Sequence, residues 1–245
     1  MIKRFAHWIG LSLLCAACAT LEGPPPTVQE EAARLQIASS FNLQTMEKSG
    51  VAILPVISET APAGIRNEAA VEIHVQMTNY FPGITLSSDT KTMETLRAND
   101  ATRKELEAWL KSYRLGSPVD QSLLRRVGLF TNSRYLLLVQ VDRYLMDSKP
   151  VTPNLPSLPL TGPVKSPSLS RPVVYDILKD IQLTGLLWDV ECNKISWEGR
   201  GRVRVIDEGP DERFRMNGLS VMAARNFVSA LFGAPQRVSE KDTGC

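Results

Sequence analysis

The chain is expected to be α/β: a single mixed β-sheet of about five strands, packed with helices and carrying a long proline-rich insertion between two of its strands. Three observations predict this. Val51-Ala52-Ile53-Leu54-Pro55-Val56-Ile57 and Tyr135-Leu136-Leu137-Leu138-Val139-Gln140-Val141 are short apolar runs with the continuity of strands buried on both faces. Between them, Ile65, Ala69, Ile73, Met77 and Tyr80 recur at helical spacing. Further on, Trp197, Val203 and Val205 alternate with Glu198, Arg200, Arg202 and Arg204, as on a strand with one buried face. Helices closing the faces of a mixed sheet bury all three kinds of segment.

Residues 1–17 read as a targeting segment: Lys3 and Arg4 precede an apolar run from Phe5 to Leu14, which closes on small residues and a cysteine. That run is shorter than the roughly 20 residues that span a bilayer. In residues 18–26, Leu21-Glu22-Gly23-Pro24-Pro25-Pro26 should be an extended spacer. Residues 27–49 should hold a helix and a linker, because Thr27-Val28-Gln29-Glu30 has capping-box spacing and predicts a helix over 28–39.

The α/β domain is expected over 50–233. Its first strand is 51–57, where Pro55 places the exit from pairing. A helix over 64–81 is stopped by Pro82-Gly83, a short strand covers 84–87, and helices follow over 89–99, 103–115 and 119–131. The run at Tyr135 continues towards Met146 as a central strand. After a loop at 148–172, a second strand runs 173–190 with Ile177, Ile181, Leu183 and Leu187 inward, and the turn Glu191-Cys192-Asn193-Lys194 leads to a third over 195–206. A helix over 218–232, capped by Asn217, carries Val221, Ala224, Val228 and Leu231, and residues 234–245 form a polar tail.

The ending of the first segment resembles the lipobox of bacterial lipoproteins, with Ala16 and Ala17 before Cys18 and Cys15 where that family prefers leucine. The resemblance implies diacylation of Cys18 and a lipid bilayer as partner. Ala19 in the second mature position implies sorting to the outer membrane, facing the periplasm. Two or three acyl chains anchor stably because each buried methylene contributes about 0.8 kcal/mol. The other reading is cleavage after Ala19, which releases a soluble periplasmic protein. With Cys18 acylated, Cys192 and Cys245 remain. They either form a disulfide, stabilising by roughly 3–4 kcal/mol on the chain-entropy account, or leave Cys245 as a free or mixed thiol.

Over about 50–232, three segments carry a second resemblance: Val51-Ala52-Ile53-Leu54-Pro55, Arg134-Tyr135-Leu136-Leu137, and Leu187-Trp188-Asp189-Val190 followed by Ile195-Ser196-Trp197-Glu198. They are similar to periplasmic α/β domains of the curli-secretion lipoprotein, the amino-terminal domain of TolB, and lipoprotein activators of penicillin-binding proteins. This implies the architecture and a non-enzymatic role in envelope assembly.

Composition narrows the chemistry. The chain has 28 basic and 26 acidic side chains, and removing residues 1–17 takes away Lys3 and Arg4, leaving the remainder near neutral. Nucleic acid is therefore not expected as a partner. His74 is the one histidine left, on a helix flank beside Ala70, Met77 and Phe81, so no metal site and no cofactor is expected. Neither a Gly-x-Ser-x-Gly elbow nor a phosphate-cradling glycine loop is present. Paired carboxylates remain open: Asp176 and Asp180 share a strand face, with Asp189 and Glu191 beyond, either as a glycan-hydrolase pair or as a solvated face.

Two surfaces stand out. Pro150, Pro153, Pro156 and Pro159 repeat every three residues with Leu155 and Leu158 one position earlier, the period of a polyproline II rod that docks into an aromatic groove, or else a connecting loop. Arg200, Arg202 and Arg204 line one strand face, either to meet an anionic glycan or acidic partner or to pair with acids across the sheet. The expected function is a non-enzymatic envelope lipoprotein, an adaptor or accessory subunit of secretion, surface-polymer or peptidoglycan-synthesis machinery. The alternatives are a periplasmic glycan hydrolase and an oligomeric export-channel lipoprotein.

Overall fold

The computed structural model describes residues 27–38, 41–114, 117–151, 174–209 and 216–233. Their strands are β1 (Thr27–Ile37), β2 (Val51–Ile53), β3 (Leu86–Ser87), β4 (Tyr135–Val151), β5 (Val174–Asp189) and β6 (Lys194–Gly209), in the sheet order β1-β6-β5-β4-β2-β3. The helices are α1 (Leu43–Ser49), α2 (Ala63–Tyr80), α3 (Asp89–Thr95), α4 (Asp100–Ser112), α5 (Gln121–Thr131) and α6 (Met216–Phe232), with a 3-10 turn over Leu96–Ala98. The sheet is mixed, as expected. β2 runs parallel to β3 and β4, whereas β5 and β6 form a hairpin through residues 190–193.

The chain divides into two compact units. The larger comprises 29–145, 179–204 and 214–245, and the smaller 1–28, 146–178 and 205–213. The described part of the smaller unit is strand: 27–28, 146–151, 174–178 and 205–209. The remaining description concerns the larger unit.

β2 and the start of β4 are buried on both faces, as their apolar runs predict. Pro55 interrupts their ladder because it lacks a donor. The Leu54 N–H donates to Leu137 O at 2.9 Å, and pairing resumes at the Ile57 N–H, which donates to Val139 O at 3.0 Å. One face packs Ala52, Leu54, Leu136, Leu138, Leu186 and Trp188 on Leu96, Leu106, Leu110, Leu123 and Val127 of the α3–α5 layer. The alternate side chains, among them Ile53, Leu137, Leu183 and Trp197, are buried too, and Trp197 meets Phe227 of α6 edge-on at 5.4 Å. Glycine is required where α6 lies on β6: a Cβ on Gly201 would stand 2.6 Å from the Phe227 Cα.

Four helix starts follow side-chain caps, at Asn42, Ser88, Asn99 and Asp120. Asn99 Oδ1 accepts from the Thr102 N–H at 3.1 Å, and Asp120 Oδ1 from the Leu123 N–H at 3.0 Å. Asn99 thus separates the two helices expected over 89–99 and 103–115. α5 ends at Asn132 in the left-handed conformation, φ 50°.

Two expectations are corrected. The segment expected as a helix over 28–39 is β1, which raises the strand count from about five to six. Its capping-box spacing is a local preference of about 0.5–2 kcal/mol, and the backbone bonds offered by β6 outweigh it. The Ala38 N–H, for example, donates to Ser196 O at 2.9 Å. The loop expected from 148 begins later, since β4 runs through Pro150 to Val151 and β5 starts at Val174.

A polar shelf on the central hairpin

On β6 the even-numbered side chains Glu198, Arg200, Arg202 and Arg204 are half-buried, while Trp197, Val203 and Val205 are buried, as the alternation predicts. The arginines differ in what they meet. Arg202 grips Asp180 of β5 with two bonds, Nε to Oδ1 at 2.9 Å and Nη2 to Oδ2 at 2.6 Å. Arg143 Nε adds a third contact to Asp180 Oδ2 at 3.0 Å. Asp180 is fully buried, so two guanidinium groups offset the cost of burying its charge. Its hydrogen bond raises the Arg202 pKa. Arg200 reaches Glu31 of β1 at 3.7 Å. For Arg204 no ion pair occurs among the described residues, and the Nε atoms of Arg200 and Arg204 are buried without acceptors.

The shelf is bounded by Tyr113, at the C-terminal end of α4. Burial, helped by the Glu198 carboxylate, raises the Tyr113 phenol above its ordinary pKa. The Tyr113 hydroxyl, the Thr184 hydroxyl and the Trp188 indole N–H are also buried without partners. Buried donors usually have acceptors, so this region has bonding capacity to spare.

At the hairpin turn, Arg134 binds Asp189 through Nη2 at 2.8 Å and Nε at 3.2 Å, and its Nη1 lies 2.8 Å from Glu191. Asp189 Oδ1 also accepts the Glu191 and Cys192 N–H groups at 3.0 and 3.1 Å, which fixes the turn. Its hydrogen bond to Asp189 raises the Arg134 pKa. Beside it, burial pushes the Tyr135 phenol up to about 12. Cys192 is disulfide-bonded. Cys245, the partner expected from the sequence, lies outside the described residues, as do Cys15 and Cys18.

The structure therefore brings Arg200, Arg202 and Asp180 together with Glu31 and Arg143, which sequence reasoning did not implicate. Charge alternation marked the arginines and allowed acids across the sheet as their partners, but nothing local marked Glu31 or Arg143. Asp180 and Asp189 are held by separate arginines rather than as a facing pair, and the buried Asp180 corrects the solvated-face reading. Asp176 lies in β5. His74 is half-buried on α2, and no group of residues suited to a metal occurs among those described. Cys18, Pro153, Leu155, Pro156, Leu158, Pro159 and Cys245 lie outside the described residues, and of Pro150 only its backbone, in β4, is described.

No protein-family model matches the chain, and none of the curated proteins does. Among solved structures, the PelC dodecamer from Paraburkholderia phytofirmans is similar at 12% identity and TM-score 0.40, covering 84% of this chain and 97% of that one. Lipoprotein GNA1162 from Neisseria meningitidis is similar at 13% identity and TM-score 0.43, covering 76% and 99%. The LpoB C-terminal domain from Salmonella enterica is similar at 13% identity and TM-score 0.32, covering 63% and 82%. These are loose likenesses of fold, and fold does not carry function with it.

Proposed function

We propose that the chain is a non-enzymatic lipoprotein of the bacterial envelope, anchored in the outer membrane through acylated Cys18, with its α/β domain facing the periplasm. There it serves as an adaptor or accessory subunit to another envelope component in secretion, surface-polymer or peptidoglycan synthesis. The observation that carries this reading is the disulfide at Cys192. Disulfides persist in oxidising compartments such as the periplasm, and the signal at residues 1–17 points to the same compartment without reference to the fold. The geometry favours binding over hydrolysis because Asp180 is buried beneath Arg202 and Arg143, and Asp189 is engaged by Arg134 and two backbone N–H groups. Neither carboxylate is free to face a glycosidic bond. The half-buried Arg200 and Arg204, of which Arg204 has no ion pair among the described residues, suit an acidic protein segment or an anionic glycan. The proline-rich residues 150–159 supply a second recognition element.

Two measurements test this. Palmitate labelling of Cys18→Ser should be lost; undiminished incorporation would refute the anchor. In-cell cross-linking of the intact lipoprotein, beside a form lacking residues 150–170, should recover a near-stoichiometric envelope partner that the deletion loses. Absence of a partner from both samples, together with glycan-cleaving activity in the purified protein, would replace the adaptor by the hydrolase.

A further inference from the structure

We infer that the free edge of β1 is an interface between two copies of this chain, joined by antiparallel pairing of residues 29–35 about a two-fold axis at Ala32. The inference does not rest on the anchoring or adaptor role proposed above. Among the described residues β1 is the terminal strand of the sheet, paired with β6 on one side only. Gln29, Glu30, Glu31, Ala32 and Leu35 are exposed, and Leu35 retains 45% of its surface. A free edge presents unpaired N–H and C=O groups, which proteins commonly guard with short strands, proline, lysine or bulges. The opposite edge is guarded in this way, since β3 has two residues. β1 has 11 residues, without proline, glycine or lysine.

Charge selects the occupant and the register. β1 holds one base, Arg34, and two acids, Glu30 and Glu31. Glu31 faces Arg200 within the chain. Neither Glu30 nor Arg34 has an ion pair among the described residues, and Arg34 is half-buried. Directly opposite residues of an antiparallel pair point to the same side of the sheet. A two-fold axis through the seam preserves each side, so the two paired positions must both be even or both be odd. Arg34 can then stand opposite Glu30 but not Glu31, and one register achieves this. It places Glu30 of each copy against Arg34 of the other, Leu35 against the Gln29 stem, and Ala32 against itself. The same closed arrangement satisfies both copies at once, whereas an unrelated acidic strand would meet Glu30 and Glu31 as like charges.

Sedimentation velocity of the full-length protein in detergent, over a concentration series, tests the inference with Glu30→Arg, Arg34→Glu and the double exchange. Thermal melting verifies that each variant is folded. Either single reversal turns two attractive pairs into repulsive ones and should weaken the dimer about tenfold or more, and the double exchange should restore it. Ala32→Cys, oxidised and mapped by mass spectrometry, should cross-link to its counterpart, because opposite Cα atoms lie about 4.5–5.5 Å apart. A monomer at every concentration with no residue-32 cross-link overturns the inference. So does a dimer indifferent to both reversals, or one that the double exchange fails to restore.

Discussion

β4 and β1 belong to one sheet, but different forces make them strands. In β4 the run Tyr135 to Val141 has one polar residue, Gln140, and the other six are essentially removed from solvent. Its neighbours β5 and β2 bond both edges, and helices cover both faces. β1 reads Thr-Val-Gln-Glu-Glu-Ala-Ala-Arg-Leu-Gln-Ile, contains several good helix formers, and buries no residue fully. Its strand conformation depends on a single neighbour. Strand identity in this protein thus comes from apolar continuity at the centre of the sheet and from docking at its rim.

Equivalent truncations should separate the two regimes most widely. Leu137→Ala on β4 should cost about 2–5 kcal/mol in urea unfolding, because it leaves a cavity in a fully packed layer. A loss below about 1 kcal/mol there would break the contrast, since exposed sites ordinarily shift by no more than that. Next is Arg202→Ala, which removes the bidentate partner of the buried Asp180. Breaking a buried pair typically costs about 3–5 kcal/mol, and with Arg143 still in place the loss should fall towards or below the lower bound.

Tyr135 gives the contrast a pH signature. Its folded pKa of about 12 lies above the ordinary 10.0 of a tyrosine, so its contribution is fully present below pH 10 and is lost as pH rises towards 12, where the unfolded chain ionises first. Tyr135→Phe should remove that share of the alkaline loss, about 2–3 kcal/mol for a shift of this size. Stability curves that remain parallel through pH 10–12 would refute it.

The smallest effect belongs to β1. Leu35→Ala should change the stability of the monomer by no more than about 0.5 kcal/mol. A peptide covering residues 27–38 should shift towards helix, not strand, when a helix-promoting alcohol is added and circular dichroism is followed. Strand spectra from that peptide would show that β1 carries its own conformation.

Where an element is specified by its own residues, it could be read directly. The continuous runs at Val51 and Tyr135, the helical spacing through Ile73 and Met77, and the alternation from Trp197 to Val205 all specify burial locally, and each forms the element expected. The arginine row was legible for the same reason, because alternate residues of a strand share a face. The cysteine inventory is likewise a property of the chain alone. Pairing of the row with acids of the neighbouring strand was legible as one alternative, and Arg202 with Asp180 realises it, but β1, with the Glu31 it brings to Arg200, and Arg143 were not legible. Glu31 lies far from Arg200 in sequence, and so does Asp180 from Arg143; only the order β1-β6-β5-β4 brings their strands together. Thr27 to Glu30 satisfies a helix-start pattern over four residues, but backbone hydrogen bonds to β6 are available only after the hairpin has folded. Local pattern determined the elements whose side chains supply their own burial, and tertiary structure decided those that depend on a partner distant along the chain.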